Sequence, residues 1–232
     1  RSSDLIDFQC LTLRHYMKIL IALIRKDVLF EWRSLYQISG LMAFLLGVAY
    51  LIYFFVGSPI LETWNLLFWL VLLFLSFFIG SRLFEEDAIR YKSYLHQMVS
   101  PVQLFLAKVI FSFFLLTVLS VLLFSIFLIL IPVTIHSWFN WMVLFIILNF
   151  GLAVIMTFGA FLAALGQNRT ILLTILTLPL SFPSFGLSYS IGLKFLDGNS
   201  IKDCISNFQP MLAIDLISLA LVIILLPYTW KN

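Results

Sequence analysis

Charge is scarce in this sequence. Asp, Glu, Lys and Arg together supply 11% of its 232 residues, against 62% that are hydrophobic. A water-soluble domain of this size could not cover so much apolar surface, so that class is excluded. The apolar runs are continuous rather than alternating with polar residues, which excludes a transmembrane barrel. Catalytic motifs are missing too. Without a GxxxxGK[ST] phosphate loop, the chain does not hydrolyse nucleotide by itself. Without HExxH, GxSxG or paired intramembrane aspartates, it is none of the common membrane proteases or lipases. Its 2 cysteines and 3 histidines form no CxxC, no CxxCH and no zinc spacing. No catalytic residue and no metal site are expected. A net charge of +3 gives no sign of nucleic-acid binding. The basic residues read instead as topology markers and contacts for anionic lipid headgroups.

What the chain does have is six long apolar stretches, at roughly 38–56, 64–82, 104–131, 139–165, 171–193 and 210–229. Each is near or above the ~20 residues that a helix needs to cross a ~30 Å hydrocarbon core. The expected fold class is therefore all-α, a polytopic membrane protein with six transmembrane helices. Basic residues then fall in alternate gaps. Arg1, Arg14, Lys18, Arg25, Lys26, Arg33, Arg82, Arg90, Lys92, Lys108, Arg169 and Lys231 share one side, and the other side holds Lys194 and Lys202. This positive-inside bias places both termini in the cytoplasm. Cys10 and Cys204 then face opposite sides of the bilayer, so no disulfide joins them. The sequence opens on Arg1, and Met17 precedes a basic run that suits a natural start, so residues 1–16 are set apart as a candidate extension. No small-residue cleavage site follows the first apolar span, and no cleavable signal peptide is expected.

Residues 14–37 read as a helix on the cytoplasmic surface. At ~100° per residue Arg14, Lys18 and Arg25 lie almost in line, with Ile21, Ile24, Val28 and Leu35 on the remaining arc. Asp27 and Glu31 fall between. Trp64 and Trp69 read as interface anchors at the outer end of span two, as do Trp138 and Trp141 after the next external turn. The stretch from Phe84 to Gln103 mixes Glu85, Glu86, Asp87, Arg90 and Lys92 with Tyr94 and a face shared by Tyr91, Leu95 and Met98. It is expected to form a short amphipathic helix. Ser100 then suits an N-cap, and Pro101 the first position of span three. In span five, Pro179 and Pro183 share a face, which predicts a kink or a break and an external half that dips back.

The span interiors carry almost no ionisable group. Lys108 and Arg82 lie at cytoplasmic ends, and Asp215 lies near the external end of span six. That scarcity argues that transport here draws its energy from another subunit. His136, in an external turn, reads as an interface residue. Residues 194–209 form the longest external loop.

Six spans with cytoplasmic ends, a surface helix ahead of them and an amphipathic insert after the second resemble the permease of an ABC-2-type exporter. Particular runs narrow the match. They are Trp64-Asn65-Leu66-Leu67-Phe68-Trp69, Arg82-Leu83-Phe84-Glu85-Glu86, Ser100-Pro101 with Leu106-Ala107-Lys108, and Leu178-Pro179-Leu180 with Pro183. With the segment from Asp27 through Gly40, they resemble the haem exporter protein B (CcmB) family from Met17 onward. One departure is Asp87-Ala88, where many members carry an acidic-Gly pair.

The resemblance implies the transmembrane permease subunit of a cytochrome c maturation complex in the bacterial inner membrane. It implies a separate cytoplasmic ABC ATPase (CcmA-like) as the motor, so that the chain itself is no enzyme. CcmC- and CcmD-like membrane proteins are the further partners, with haem as the transported or handled ligand, destined for the chaperone CcmE. The chain then divides into a cytoplasmic segment, 1–37, a six-helix permease domain, 38–229, with its coupling segment at 84–103, and a cytoplasmic tail, 230–232. Glu85 and Glu86 are placed at the docking surface, with Tyr91, Tyr94 and Leu95 packing into the ATPase. Two alternatives share the pattern: an ABC-2 permease for a lipid or polysaccharide, and a non-transporting haem-handling membrane protein that uses His136 and Asp215. An impermeant reagent applied outside intact cells should leave residues 85–99 unlabelled, and labelling there would overturn the topology.

Overall fold

The computed structural model describes residues 2–33, 35–57, 60–84, 100–164 and 169–230. Among them are seven helices and no strand: α1 (Ser2–Arg33), α2 (Leu35–Val56), α3 (Leu61–Arg82), α4 (Pro101–Leu130), α5 (Trp138–Ala164), α6 (Arg169–Leu196) and α7 (Ile201–Trp230). The last six are long and apolar enough to cross a membrane. The shortest, α2 and α3, have 22 residues. At ~1.5 Å per residue that is roughly 33 Å of helix, enough for a ~30 Å core. All six predicted spans are present.

The start of α4 forms as its sequence dictates. Ser100 Oγ accepts from the Gln103 N–H at 3.3 Å, the Ser100 N–H donates to Gln103 Oε1 at 3.1 Å, and Pro101 takes the first turn. This reciprocal cap satisfies donors that would otherwise be orphaned. The start of α7 departs from expectation. It begins at Ile201 rather than near 210, because Asp203 Oδ2 accepts from both the N–H and the hydroxyl of Ser200. Cys204, Phe208 and Met211 are buried on its inner face. The predicted 194–209 loop shrinks to a turn at Gly198, whose φ of 87° suits glycine.

Helix α5 is the hub, packing against α3, α4, α6 and α7. Of its most apolar stretch 67% is buried, against 17% for α2, which lies at the periphery. Small residues such as Gly151, Ala153, Gly159 and Ala160 on α5 let neighbouring backbones approach.

Near the turns joining α4 to α5 and α6 to α7, the core is aromatic. Trp64, Phe68, Phe124, Trp141 and Phe145 form one cluster, its closest ring centroids 4.8 Å apart at Phe124 and Trp141. Trp64, Trp69 and Trp141, expected as interface anchors, are instead buried, with exposures of 0%, 2% and 1%. The first two find hydrogen-bond partners inside the protein. Trp64 Nε1 donates to Ile131 O at 3.1 Å, and Trp69 Nε1 donates to Asn65 Oδ1 at 2.8 Å. Asn65 Nδ2 donates in turn to Tyr189 O at 2.8 Å, which pins α3 to α6. An indole so partnered no longer needs the interface. Trp138 stays exposed.

The break expected at Pro179 and Pro183 is not what the structure shows. Helix α6 runs through both prolines from Arg169 to Leu196. Both lie on its exposed face, so the missing donors do not disturb the packed face of Thr177, Ser181, Ser184 and Ser188. Hydroxyls on that face donate to carbonyls of their own helix, Ser181 to Leu178 at 2.9 Å and Ser188 to Ser184 at 2.8 Å.

Gly192 on α6 lies beneath the Asn65 amide. A Cβ at that position would collide with Asn65 Oδ1 and come within 3.0 Å of Trp69 Nε1. Gly192→Ala should lower stability by about 1–3 kcal/mol, the usual cost of overpacking, read as a fall in melting temperature in detergent.

Candidate functional site

Charge gathers where the end of α1, the end of α3 and the start of α4 meet. Lys108 Nζ lies 3.0 Å from Asp27 Oδ1, and both side chains are less than a tenth exposed. Lys26 Nζ approaches the same oxygen at 3.5 Å. Beside this pair, Arg82 Nη2 lies 3.5 Å from Glu31 Oε1. Aromatic faces steady both cations, with Lys108 Nζ 5.6 Å from the Phe84 ring centre and Arg82 Cζ 5.5 Å from that of Phe78. A cavity of about 290 Å³ opens between α1, α2, α3 and α4 beside these pairs. Asp27 Oδ2 is buried and has no hydrogen-bond partner among the described residues.

One face of α1 packs on the bundle and leaves much of the apolar arc outside. Leu23 and Asp27, one turn apart, are buried, while Ile21 and Val28 of the expected apolar arc stay exposed. The helix turns its carboxylates, Asp27 and Glu31, toward α4 and α3, because Lys108 and Arg82 wait there. Their signal in the sequence is modest. Asp27 and Lys108 are oppositely charged and each is followed by an apolar run, DVLF and KVIF. No local period links positions 81 residues apart.

Glu85, Glu86, Tyr91, Tyr94 and Leu95 lie outside the described residues. Phe84, just before them, is buried against Phe161, with ring centres 5.8 Å apart, and beneath Lys108. Pro179 and Pro183 belong to α6, which packs on α3, α5 and α7 and takes no part in this junction. His136 and Asp215 are not brought together. The His136 ring packs over Gly198 in the turn before α7. Asp215 lies fourteen residues beyond Ile201, roughly 21 Å along the helix. The early start of α7 thus moves Asp215 from the expected helix end to mid-span, where it is fully buried.

Helices, spans and charged junction together define a polytopic α-helical membrane protein. No curated protein matches the chain. The model of the CcmB protein family matches residues 18–229, and the chain belongs to that family. Membership implies the permease component of the haem-export system of cytochrome c maturation, which is a membrane subunit rather than a catalytic enzyme.

Lys108→Met leaves the buried Asp27 carboxylate only the longer contact to Lys26 and should cost about 3 kcal/mol, the low end for a broken buried pair. Adding Asp27→Leu should return most of that loss. A double-mutant cycle on thermal unfolding in detergent tests this, and strictly additive effects would count against the pair.

Proposed function

We propose that this chain is the membrane subunit through which a separate cytoplasmic ABC ATPase drives haem handling for c-type cytochrome assembly in the bacterial inner membrane. The family match over residues 18–229 is the observation that carries this reading. The charged junction supports it physically. Force applied at the segment after Phe84 meets a margin where a buried ion pair ties α1 to α4 and a half-buried one ties α1 to α3. Breaking such a pair is costly, so the margin moves as one piece and passes displacement to the spans behind it.

In this reading residues 84–103 receive the ATPase. Glu85 and Glu86 face its docking surface, and Tyr91, Tyr94 and Leu95 pack into it. CcmC- and CcmD-like proteins complete the membrane assembly, and haem is the handled cargo. The basic residues other than Lys194 and Lys202 face the cytoplasm in this reading, as the positive-inside bias suggests. Reversal of both charges, Glu85→Lys with Glu86→Lys, should reduce co-purification of the ATPase and lower the yield of mature cytochrome c. Both measurements unchanged would remove the coupling role from this segment.

A further inference from the structure

Among the described residues two carboxylates are buried, and the fold answers only one of them with a cation. Asp27 meets Lys108 at 3.0 Å. Asp215, in the middle of α7, is fully buried, and neither of its oxygens has a hydrogen-bond partner among the described residues. Its carboxyl fills the space beside Gly151 on α5, where a Cβ would collide with both oxygens. A second orphaned group lies on the same seam. On the packed face of α6, Thr177, Ser181 and Ser188 each donate to a carbonyl of their own helix, whereas the buried Ser184 hydroxyl does not. Ser184 stands level with Asp215, because Ser188 Oγ and Met211 Sδ, one turn away on each helix, are 4.0 Å apart.

No positive charge is level with Asp215. Helices α4, α5 and α6 pack against α7. Helix α5 carries no titratable residue, and on α4 Lys108 stands alone. Ser112 meets Thr157 and Ser120 meets Asn149, so Gly151 is level with residue 118 of α4, roughly 15 Å along the helix from Lys108. On α6, Arg169 comes fifteen residues before Ser184, and Lys194 ten after it, where it donates to Asn207 at 3.0 Å. Tyr189, also on α6, is a neutral phenol. On α7 itself, Lys202, Asp203 and Cys204 stand eleven or more residues before Asp215, and Tyr228 thirteen after it. An ionised carboxylate with neither cation nor donor is a costly occupant of an apolar interior, and the neutral acid is far cheaper. We propose that Asp215 is a proton-binding site, a neutral acid in this packing that releases its proton to water when α7 parts from α5 and α6. On release the carboxyl O–H bond breaks, its electron pair stays on the carboxylate, and water takes the proton. A hard metal ion is the competing occupant, but it takes about six oxygen ligands, and Asp215 with Ser184 offers three. The site goes beyond the permease reading and stands without it.

The full-length chain is purified in detergent with isotope-labelled Asp carboxyl carbons, and its infrared spectrum is recorded at about pH 7, where a free Asp is ionised. One labelled carboxylic-acid carbonyl band should appear. It should vanish in Asp215→Asn and persist when the other buried acid is removed with its partner, by Asp27→Leu with Lys108→Met. A wild-type protein without the band, or a band that survives Asp215→Asn, would overturn the assignment. So would a band that sodium, potassium or magnesium chloride removes at constant pH, which marks a cation site. The wild-type spectrum needs no substitution, so a missing band sinks the proposal even where a variant fails to fold. Linkage supplies a second readout. Below the pH at which the band disappears, each opening of α7 frees one proton. Amide exchange around Asp215 should therefore gain about tenfold per pH unit over the Asp215→Asn protein. A ratio that stays flat with pH would break the link between this proton and the packing of α7.

Discussion

Two opposite charges, Asp27 on α1 and Lys108 on α4, meet at 3.0 Å with almost no exposure to water, and the architecture around them follows from that meeting. Neither group could be buried alone in a chain this apolar, since an unpaired charge in such surroundings costs several kcal/mol. Paired, they decide which face α1 turns to the bundle. Glu31, one turn further along α1, is then brought to Arg82, and Phe84 is held beneath Lys108. The charged margin is thus a set of mutual obligations among α1, α3 and α4. Through Phe84 and Phe161 it extends to α5, the most enclosed of the spans.

The opposite end of the bundle obeys the same constraint with neutral groups. In an apolar medium each polar atom has to be answered from within the protein. Asn65 does so twice, accepting from Trp69 and donating to Tyr189, while Trp64 reaches the carbonyl of Ile131. Between the two ends, Ser112 meets Thr157 at 3.0 Å and Asn149 meets Ser120 at 2.8 Å, both across α4 and α5. A ladder of sparse polar contacts holds the central helices in register.

The features legible in the sequence are those that depend on local order. Six spans follow from runs of apolar residues, and the cap of α4 follows from Ser100, Pro101 and Gln103 standing next to one another. Burial of Trp64 was not legible, because the preference of tryptophan for the interface rests on its N–H needing a partner. That partner, Ile131 O for Trp64, lies 67 positions away. The pairing of Asp27 with Lys108 escaped for the same reason. Helix α6 escaped in a different way. Proline predicts lost donors, but whether the loss breaks a helix depends on which face the prolines occupy, and the fold puts both on the exposed one. The start of α7 was misplaced because Lys202 and Asp203 look like loop residues, whereas Asp203 caps the helix.

Asp215 marks where the bundle gives up stability rather than gaining it. Its carboxyl lies against the α5 backbone, where a Cβ on Gly151 would collide with it, and neither oxygen has a hydrogen-bond partner among the described residues. Ser188 Oγ lies 4.0 Å from Met211 Sδ, and α6 and α7 run antiparallel, so one turn along each helix puts Ser184 and Asp215 at the same level. The Ser184 hydroxyl is buried and unanswered as well. Two orphaned polar groups on one seam are costly, and an apolar residue would serve packing better than an aspartate. Any shift of α7 that gave these groups partners would recover part of that cost, whereas a shift at the charged margin would break pairs already made. The α1–α3–α4 margin thus holds its charges in pairs, whereas the seam of α5, α6 and α7 holds buried polar groups without partners among the described residues.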